Sequence, residues 1–305
     1  SPFVLKNDEL EPLDFLNAPK RAFNFSSENA TMNLNSGSTL FISAPIFEIV
    51  GGTVTQEDGA TVVGGMVVVS NEGRFIHGVG STSVGLFGNF TKLANGTYVL
   101  GGNTRLSATF GPIDGPVSVN GINNRIEGNA YFQHPITLLD SNTTLTLSVD
   151  NVINQPIYLN GGTIYIDSSI SMGLGGSLVG PGRIDGLGAG SLRLSGTASQ
   201  WNTDLTFKNL QMIELAGSTN LTGTWRFQGE TNIVGGGSRL DLLGQGMLSL
   251  EIGGVLKLSG VQLGNVTNNT LELTPTSTLV LSDSNLSTSL TMSFTLGTIL
   301  VQGSS

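Results

Sequence analysis

Along most of the chain, apolar and polar residues alternate in short runs that are separated by small turn residues. Residues 32–34 and 39–42 are typical of these runs, and pairs such as Gly51-Gly52 and Gly161-Gly162 separate them. A period of two is typical of β-strands, and glycine is typical of the turns between them. After residue 30 no stretch sustains a helical period with caps. The pattern therefore predicts many short strands from about residue 31 to the end.

One template recurs within this pattern: an apolar residue, any residue, an apolar residue and then Ser or Asp, usually with a further apolar residue shortly after. Its copies begin at Leu145, Ile164, Leu192, Leu256 and Leu279, at separations of 19, 28, 64 and 23 residues, and 64 is about three times 21. Spacings of roughly 20–30 residues are typical of solenoids. At about 22 residues per coil, residues 31–305 make about a dozen stacked coils, each with two or three strands.

Residues 31–305 resemble the parallel β-helix proteins, a class that includes secreted polysaccharide-degrading enzymes, phage tailspikes and bacterial surface adhesins. The resemblance covers about nine-tenths of the chain and is one of architecture, since the repeat carries no signature of a single family. It implies an all-β parallel β-helix, or β-solenoid, in a secreted or cell-surface protein. A β-sandwich or stacked β domains is the alternative, and the low charge favours the solenoid.

The first 30 residues differ from the rest of the chain. They hold 8 of the 35 charged residues and three of the ten prolines, and they include a plausible short helix from about Asp8 to Asn17. We therefore predict a non-solenoid arm or cap over residues 1–30 and a solenoid over residues 31–305. The arm has the apolar side chains for an assembly contact, and these are Phe3, Val4, Leu5, Leu10, Leu13, Phe15, Leu16, Phe23 and Phe25.

Composition and charge narrow the function classes. The chain has 43 glycines, no cysteine, and 13 basic against 22 acidic residues, for a net charge of −9. The absence of cysteine excludes disulfides and thiolate metal sites, and the acidic balance argues against nucleic-acid binding. No run of 18 apolar residues is present, so we expect no membrane span. The sequence begins Ser1-Pro2, which fits either removal of a signal peptide or trimming, and we expect a secreted protein.

Few residues suggest catalysis. The two histidines, His77 and His134, form no metal-binding motif, so we expect no metal and no cofactor. Asp167, Asp185 and Asp204 are spaced 18 and 19 residues apart, and stacking in successive coils would bring them to about 5 Å, as in retaining glycosidases. Aspartate after a strand is, however, an ordinary turn former. Our expectation is no enzymatic activity, with a polysaccharide lyase or hydrolase as the less favoured alternative.

The two tryptophans are candidates for carbohydrate contact. Trp201 and Trp225 are 24 residues apart, about one coil. If exposed, they would form a platform for sugar rings, and if buried, an aromatic ladder in the core. Burial is the favoured interpretation. The exposed alternative would make the protein an adhesin that binds glycans or a host or cell surface.

The C-terminal end of the sequence carries the strongest functional signal. No charged residue follows Asp283, and the final stretch alternates like a strand. We interpret it as an uncapped coil whose edge pairs with another subunit; the alternatives are a truncation boundary and a last coil that is covered by the protein's own arm. The leading hypothesis is a secreted, non-enzymatic structural protein that forms a head-to-tail homopolymer through the arm and this edge. The edge residues are Leu290, Met292, Phe294, Leu296, Ile299 and Val301.

Overall fold

The computed structural model describes residues 3–5, 23–26, 30–41, 46–56, 61–63, 66–70, 74–77, 97–100, 102, 105–108, 112–113, 116–127, 131–195, 200–201, 203–288 and 293–303. Within these residues the regular structure consists of β-strands. The described part of the chain contains no helix that is long and apolar enough to cross a membrane. The chain divides into two units, residues 1–151 with 155–158 and residues 152–154 with 159–305.

Short strands of two to five residues follow one another along the whole described chain. Those of the first 158 residues are β1 (Phe3–Leu5), β2 (Phe23–Ser26), β3 (Thr31–Leu34), β4 (Thr39–Phe41), β5 (Ile46–Val50), β6 (Thr53–Gln56), β7 (Thr61–Val63), β8 (Met66–Ser70), β9 (Arg74–His77), β10 (Thr97–Leu100), β11 (Arg105–Ala108), β12 (Pro112–Ile113), β13 (Val117–Val119), β14 (Asn124–Glu127), β15 (Tyr131–Phe132), β16 (Ile136–Leu138), β17 (Thr144–Leu147), β18 (Asn151–Ile153) and β19 (Ile157–Tyr158).

The remaining strands have the same lengths and spacing. They are β20 (Thr163–Ile166), β21 (Ser171–Leu174), β22 (Leu178–Val179), β23 (Gly182–Asp185), β24 (Ser191–Leu194), β25 (Gln200–Trp201), β26 (Leu205–Lys208), β27 (Met212–Leu215), β28 (Thr219–Leu221), β29 (Thr224–Gln228), β30 (Glu230–Val234), β31 (Arg239–Leu242), β32 (Met247–Leu250), β33 (Val255–Ser259), β34 (Gln262–Gly264), β35 (Leu271–Leu273), β36 (Thr278–Ser282), β37 (Asn285–Leu286) and β38 (Thr298–Gln302).

In the first unit, two sheets of seven described strands carry most of the structure. Sheet 1 has the order β1-β3-β6-β9-β11-β14-β17, and sheet 2 has the order β2-β5-β8-β10-β13-β16-β19. Each strand in these sheets pairs in parallel with its neighbours, as for β6 with β9 and β5 with β8. Two short pairs, β4 with β7 and β12 with β15, complete the described pairing in this unit.

In the second unit, all the described strands except β22 form three parallel sheets. Sheet 3 has the order β20-β23-β26-β29-β32-β35, sheet 4 the order β18-β21-β24-β27-β30-β33-β36-β38, and sheet 5 the order β25-β28-β31-β34-β37. From β29 to β34, successive strands fall in sheets 3, 4 and 5 in turn. Each coil there contributes one strand to each sheet, which is the topology of a parallel β-solenoid. The predicted fold class is therefore confirmed.

The core follows from the alternation along each strand, because parallel pairing in register stacks like residues. In sheet 4, Leu256 pairs with Leu279 and Leu258 with Leu281, and all four side chains are buried. These are two copies of the recurring template, now in adjacent coils. The copy at Ile164 is also buried but belongs to sheet 3, so the template marks a strand and its bend, not one particular sheet.

The bends that follow the strands of sheet 4 repeat one backbone conformation. Gly260, Asp283 and Gly303 come directly after β33, β36 and β38, with φ angles of 63°, 48° and 72°. Positive φ is accessible to glycine without a steric penalty and is tolerated by aspartate. The bends stack through backbone hydrogen bonds, since the N–H of Gly260 donates to the carbonyl of Ser282 at 3.0 Å. This conformation explains why Ser, Asp and Gly punctuate the repeat.

Buried polar side chains complete the bends in the first unit. Asn124 is fully buried at the start of β14. Its Nδ2 donates to the carbonyl oxygens of Asn120 at 2.9 Å and Gly121 at 3.1 Å. Its Oδ1 accepts from the Gly102 N–H at 2.9 Å, one coil earlier. One amide therefore satisfies backbone groups in two coils, which offsets the cost of its burial.

Two segments of the predicted arm are strands. β1 pairs with β3, placing Phe3 opposite Met32, and β2 pairs with β5, placing Phe23 opposite Phe47. The backbones of residues 3–5 and 23–26 therefore begin sheets 1 and 2. The other arm residues, Leu10, Leu13, Phe15 and Leu16, and the predicted helix lie outside the described residues. The division of the chain at residue 30 stays a prediction.

Candidate functional site

Strand β38 lies at the edge of sheet 4. It pairs in parallel with β36 along five positions, from Thr278 opposite Thr298 to Ser282 opposite Gln302. Among the described residues, no strand pairs with its other side. A parallel edge of this kind presents a row of backbone N–H and C=O groups that can pair with a further strand. β38 is therefore the candidate interaction site.

Two rows of inward-facing side chains in sheet 4 continue into β38, where they are partly exposed. Leu258, Leu281 and Val301 occupy successive positions of one row, and their exposed fractions are 0%, 5% and 61%. In the neighbouring row, Leu279 is fully buried and its partner Ile299 is half-buried. Ile299 and Val301 thus occupy positions that are buried in the three preceding strands of sheet 4, β30, β33 and β36.

Other apolar residues of the same C-terminal segment also have exposed surface. Leu300, on the outward row, is 44% exposed, and Leu296, just before β38, is 49% exposed. Phe294 is half-buried. Of the other predicted edge residues, Leu290 and Met292 lie outside the described residues. Residues 284–305 include no charged side chain, whereas edge strands of natural sheets usually carry charges that prevent pairing.

Asp185 and Asp204, two of the three aspartates of the enzyme alternative, do not converge. The register places Asp185 opposite Tyr165 in one neighbouring strand and opposite Lys208 in the other. Asp204 directly precedes Leu205, which lies opposite Gly182, so Asp204 and Asp185 are about four residues, or roughly 13 Å, apart along the strands. The spacing expected for a retaining carboxylate pair is therefore wrong for these two residues.

Asp185 and Asp204 both form contacts that stabilise the fold. Asp185 is 4% exposed, and its Oδ2 lies 2.8 Å from Arg183 Nη2 and 4.0 Å from Lys208 Nζ. Its Oδ1 accepts from the N–H of Leu187 at 3.1 Å. Asp204 Oδ1 accepts from the N–H of Thr224 at 2.8 Å. These contacts assign both carboxylates to bends and neighbouring strands, as the turn-forming interpretation predicts.

Trp225 lies in the core, and its assignment as a carbohydrate contact is corrected. Its side chain has no exposed surface, and its ring meets that of Phe207 edge to face, with centroids 5.3 Å apart. Phe207 in turn stacks on Phe227 at 5.5 Å. Burial is favoured because β29 alternates inward and outward and Trp225 takes an inward position beside Leu205. The side chain of Trp201 lies outside the described residues, so its proposed contact stays a prediction.

The described residues contain no group of three or more His, Cys, Asp or Glu side chains that could hold a metal ion.

Sequence reasoning identified the apolar C-terminal edge but not which of its residues continue the interior rows. That distinction depends on the register between β36 and β38, which the alternation of a single strand does not reveal.

Comparison of the chain with protein-family models, with curated proteins and with solved structures finds no match.

Proposed function

We propose that the protein is a non-enzymatic structural protein that assembles head to tail into an extracellular filament or surface layer. One observation carries the proposal: the interior rows of sheet 4 continue into Ile299 and Val301, and no described strand pairs with the open side of β38. A second copy of the chain is the occupant that would extend these rows with the same chemistry. Apolar burial and strand pairing would then both favour association.

The first unit also has open strand edges, which supply a second surface for the proposed contact. Among the described strands, β1 pairs only with β3 and β2 only with β5, so each has an open parallel edge. A contact between such an edge and β38 joins two different surfaces of the same chain. A heterologous contact of this kind does not close on itself unless the rotation closes a ring, so repeating it builds a filament. The apolar residues of the predicted arm, Phe3 to Phe25, would add to the contact.

The extracellular location is part of the same proposal. The chain has no cysteine, so disulfide cross-links make no contribution to its stability. Only 11% of its residues are charged. A stack of parallel coils has extensive backbone pairing, which suits a protein that works outside the cell without disulfides. A surface that is poor in charge also favours lateral packing into a layer.

A single charge at the uncovered row is expected to prevent assembly. The change Val301→Glu places a carboxylate where the proposal buries an apolar side chain against the next subunit. Because burying an unpaired charge is costly, association should weaken at least about tenfold. Sedimentation velocity across a wide concentration range measures this: the unchanged chain should sediment faster as its concentration rises, and the variant should remain monomeric.

Ile252→Glu is the matched control for this experiment. Ile252 is 77% exposed at the turn between β32 and β33, two coils before β38, so its replacement should leave association unchanged. Thermal unfolding of both variants checks that each remains folded. A chain that stays monomeric at every concentration, or a Val301→Glu variant that associates like the unchanged chain, would refute the proposed function.

A further inference from the structure

The acceptor motif for N-linked glycosylation, Asn-x-Ser/Thr, is concentrated on one face of the second unit. The chain has nine such motifs, and four of them lie in the second unit. Asn220 lies on β28 and Asn285 on β37, whereas Asn265 and Asn268 lie just after β34. The strands β28, β34 and β37 all belong to sheet 5, so none of the four asparagines lies on a strand of sheet 3 or sheet 4.

The two asparagines on strands of sheet 5 occupy outward positions. Asn220 is half-buried, whereas Thr219 and Leu221 on either side of it are buried. Asn285 is exposed, and it lies opposite Gln262, which is exposed as well. Since side chains alternate between the two faces of a strand, both asparagines lie on the side of sheet 5 that faces away from the core.

Two of the four side chains, Asn268 and Asn285, are the most accessible acceptors, and both are exposed. The Oδ1 atom of Asn268 accepts a hydrogen bond from the N–H of Ser293 at 3.2 Å. This bond uses the amide oxygen and not Nδ2, which is the atom that receives a glycan. Asn265 differs, because its Nδ2 donates to Asp241 Oδ1 at 3.1 Å, and the fourth asparagine is half-buried.

We infer that Asn268 and Asn285 accept N-linked glycans, which makes the outward face of sheet 5 the glycan-bearing face of the second unit. The reaction joins the asparagine Nδ2 to the anomeric carbon of an oligosaccharide that is carried on a lipid diphosphate. A C–N bond forms as the C–O bond to the lipid diphosphate breaks, and one amide proton passes to a base of the transferase. The inference rests on the extracellular location in the proposed function, and it does not depend on assembly.

Glycans at these two positions would leave the proposed assembly edge open. β38 belongs to sheet 4, whereas Asn285 belongs to sheet 5 and Asn268 to the turn after it. Asn285 also lies within residues 284–305, which include no charged side chain. A bulky, hydrophilic glycan there would supply the solubility that charged side chains supply elsewhere.

Mass spectrometry of the protein from the cells that naturally produce it tests the inference. The extracellular fraction is treated with peptide-N-glycosidase in heavy-oxygen water, which converts each glycosylated asparagine to a labelled aspartate. Label is expected at Asn268 and Asn285, and Asn265 should stay unlabelled. The variant Asn268→Gln, produced in the same cells, should lose one glycan and keep the label at Asn285.

Asn269→Gln is the matched control, because it leaves the motif of Asn268 and Thr270 intact and should keep the glycan. Loss of the glycan in both variants, or in neither, would overturn the inference, as would label at Asn265 in place of Asn268. An extracellular protein without label at Asn268 and Asn285 would overturn the inference alone. A protein that is absent from the extracellular fraction would overturn the proposed location as well.

Discussion

Replacing Gly223 by alanine is expected to lower the free energy of unfolding by about 3 kcal/mol. A Cβ atom at this position would lie 2.6 Å from the carbonyl oxygen of Thr203, 2.7 Å from its carbonyl carbon and 2.8 Å from its nitrogen. All three atoms are backbone of the preceding coil, so no side-chain rotation relieves the clash. The coils would have to separate locally, which weakens their pairing and packing on both sides of the bend. Urea unfolding measures the change.

Gly217→Ala is the matched control for this substitution. A Cβ atom at Gly217 would meet no atom within 4 Å, and its backbone lies outside the left-handed region. Alanine there should leave stability unchanged or raise it by up to about 1 kcal/mol, because it restricts the unfolded chain. Equal midpoints for the two variants would contradict the close approach of the coils at Gly223.

Truncating Trp225 is expected to have the largest effect among the core side chains. Trp225→Ala should lower the free energy of unfolding by about 4 kcal/mol, since it removes the largest fully buried side chain and leaves a cavity beside Phe207. Trp225→Phe should cost clearly less, because it retains an aromatic contact with Phe207. Urea unfolding of both variants, followed by far-ultraviolet circular dichroism, measures the two losses.

Ile252→Ala provides the comparison for an exposed apolar residue. Ile252 is 77% exposed, so its truncation should change the free energy of unfolding by less than about 0.5 kcal/mol. If Trp225→Ala were as mild as this control, the tryptophan would not be in the core. The carbohydrate-platform interpretation of Trp225 would then be open again.

The fold was predictable because its signals are local. Alternation identifies a strand within a few residues, and Gly, Ser or Asp after it identifies the bend, as Ser259 and Gly260 do after Leu258. Both signals survive the sequence variation between coils. The repeat therefore favours a parallel solenoid over a β-sandwich, and the stacking of Leu256 on Leu279 confirms it.

Register was not predictable, because bends differ in length from coil to coil. Trp201 and Trp225 are about one coil apart in sequence, yet they belong to β25 in sheet 5 and β29 in sheet 3. The aspartates fail to align for the same reason, since Asp185 lies opposite Tyr165 and Lys208. A mean repeat length positions coils but does not position individual side chains.

Three arginine positions of sheet 1 show the opposite case, in which sequence spacing concealed an alignment. Arg74, Arg105 and Arg125 are separated by 31 and 20 residues, and neither their spacing nor the net charge suggests a basic row. Strand pairing alone brings them to partner positions.

The edge at β38 was predictable from the lack of charged residues in the C-terminal segment. That Ile299 and Val301 continue the interior rows was not predictable, because it depends on the register of β38 with β36.

Electron microscopy of the purified 305-residue chain at high concentration tests the proposed assembly most directly. The account predicts unbranched filaments that grow by end-to-end addition of subunits and that disappear in the Val301→Glu variant. Particles of single-subunit size at every concentration would contradict it, as would filaments that form equally well with glutamate at position 301.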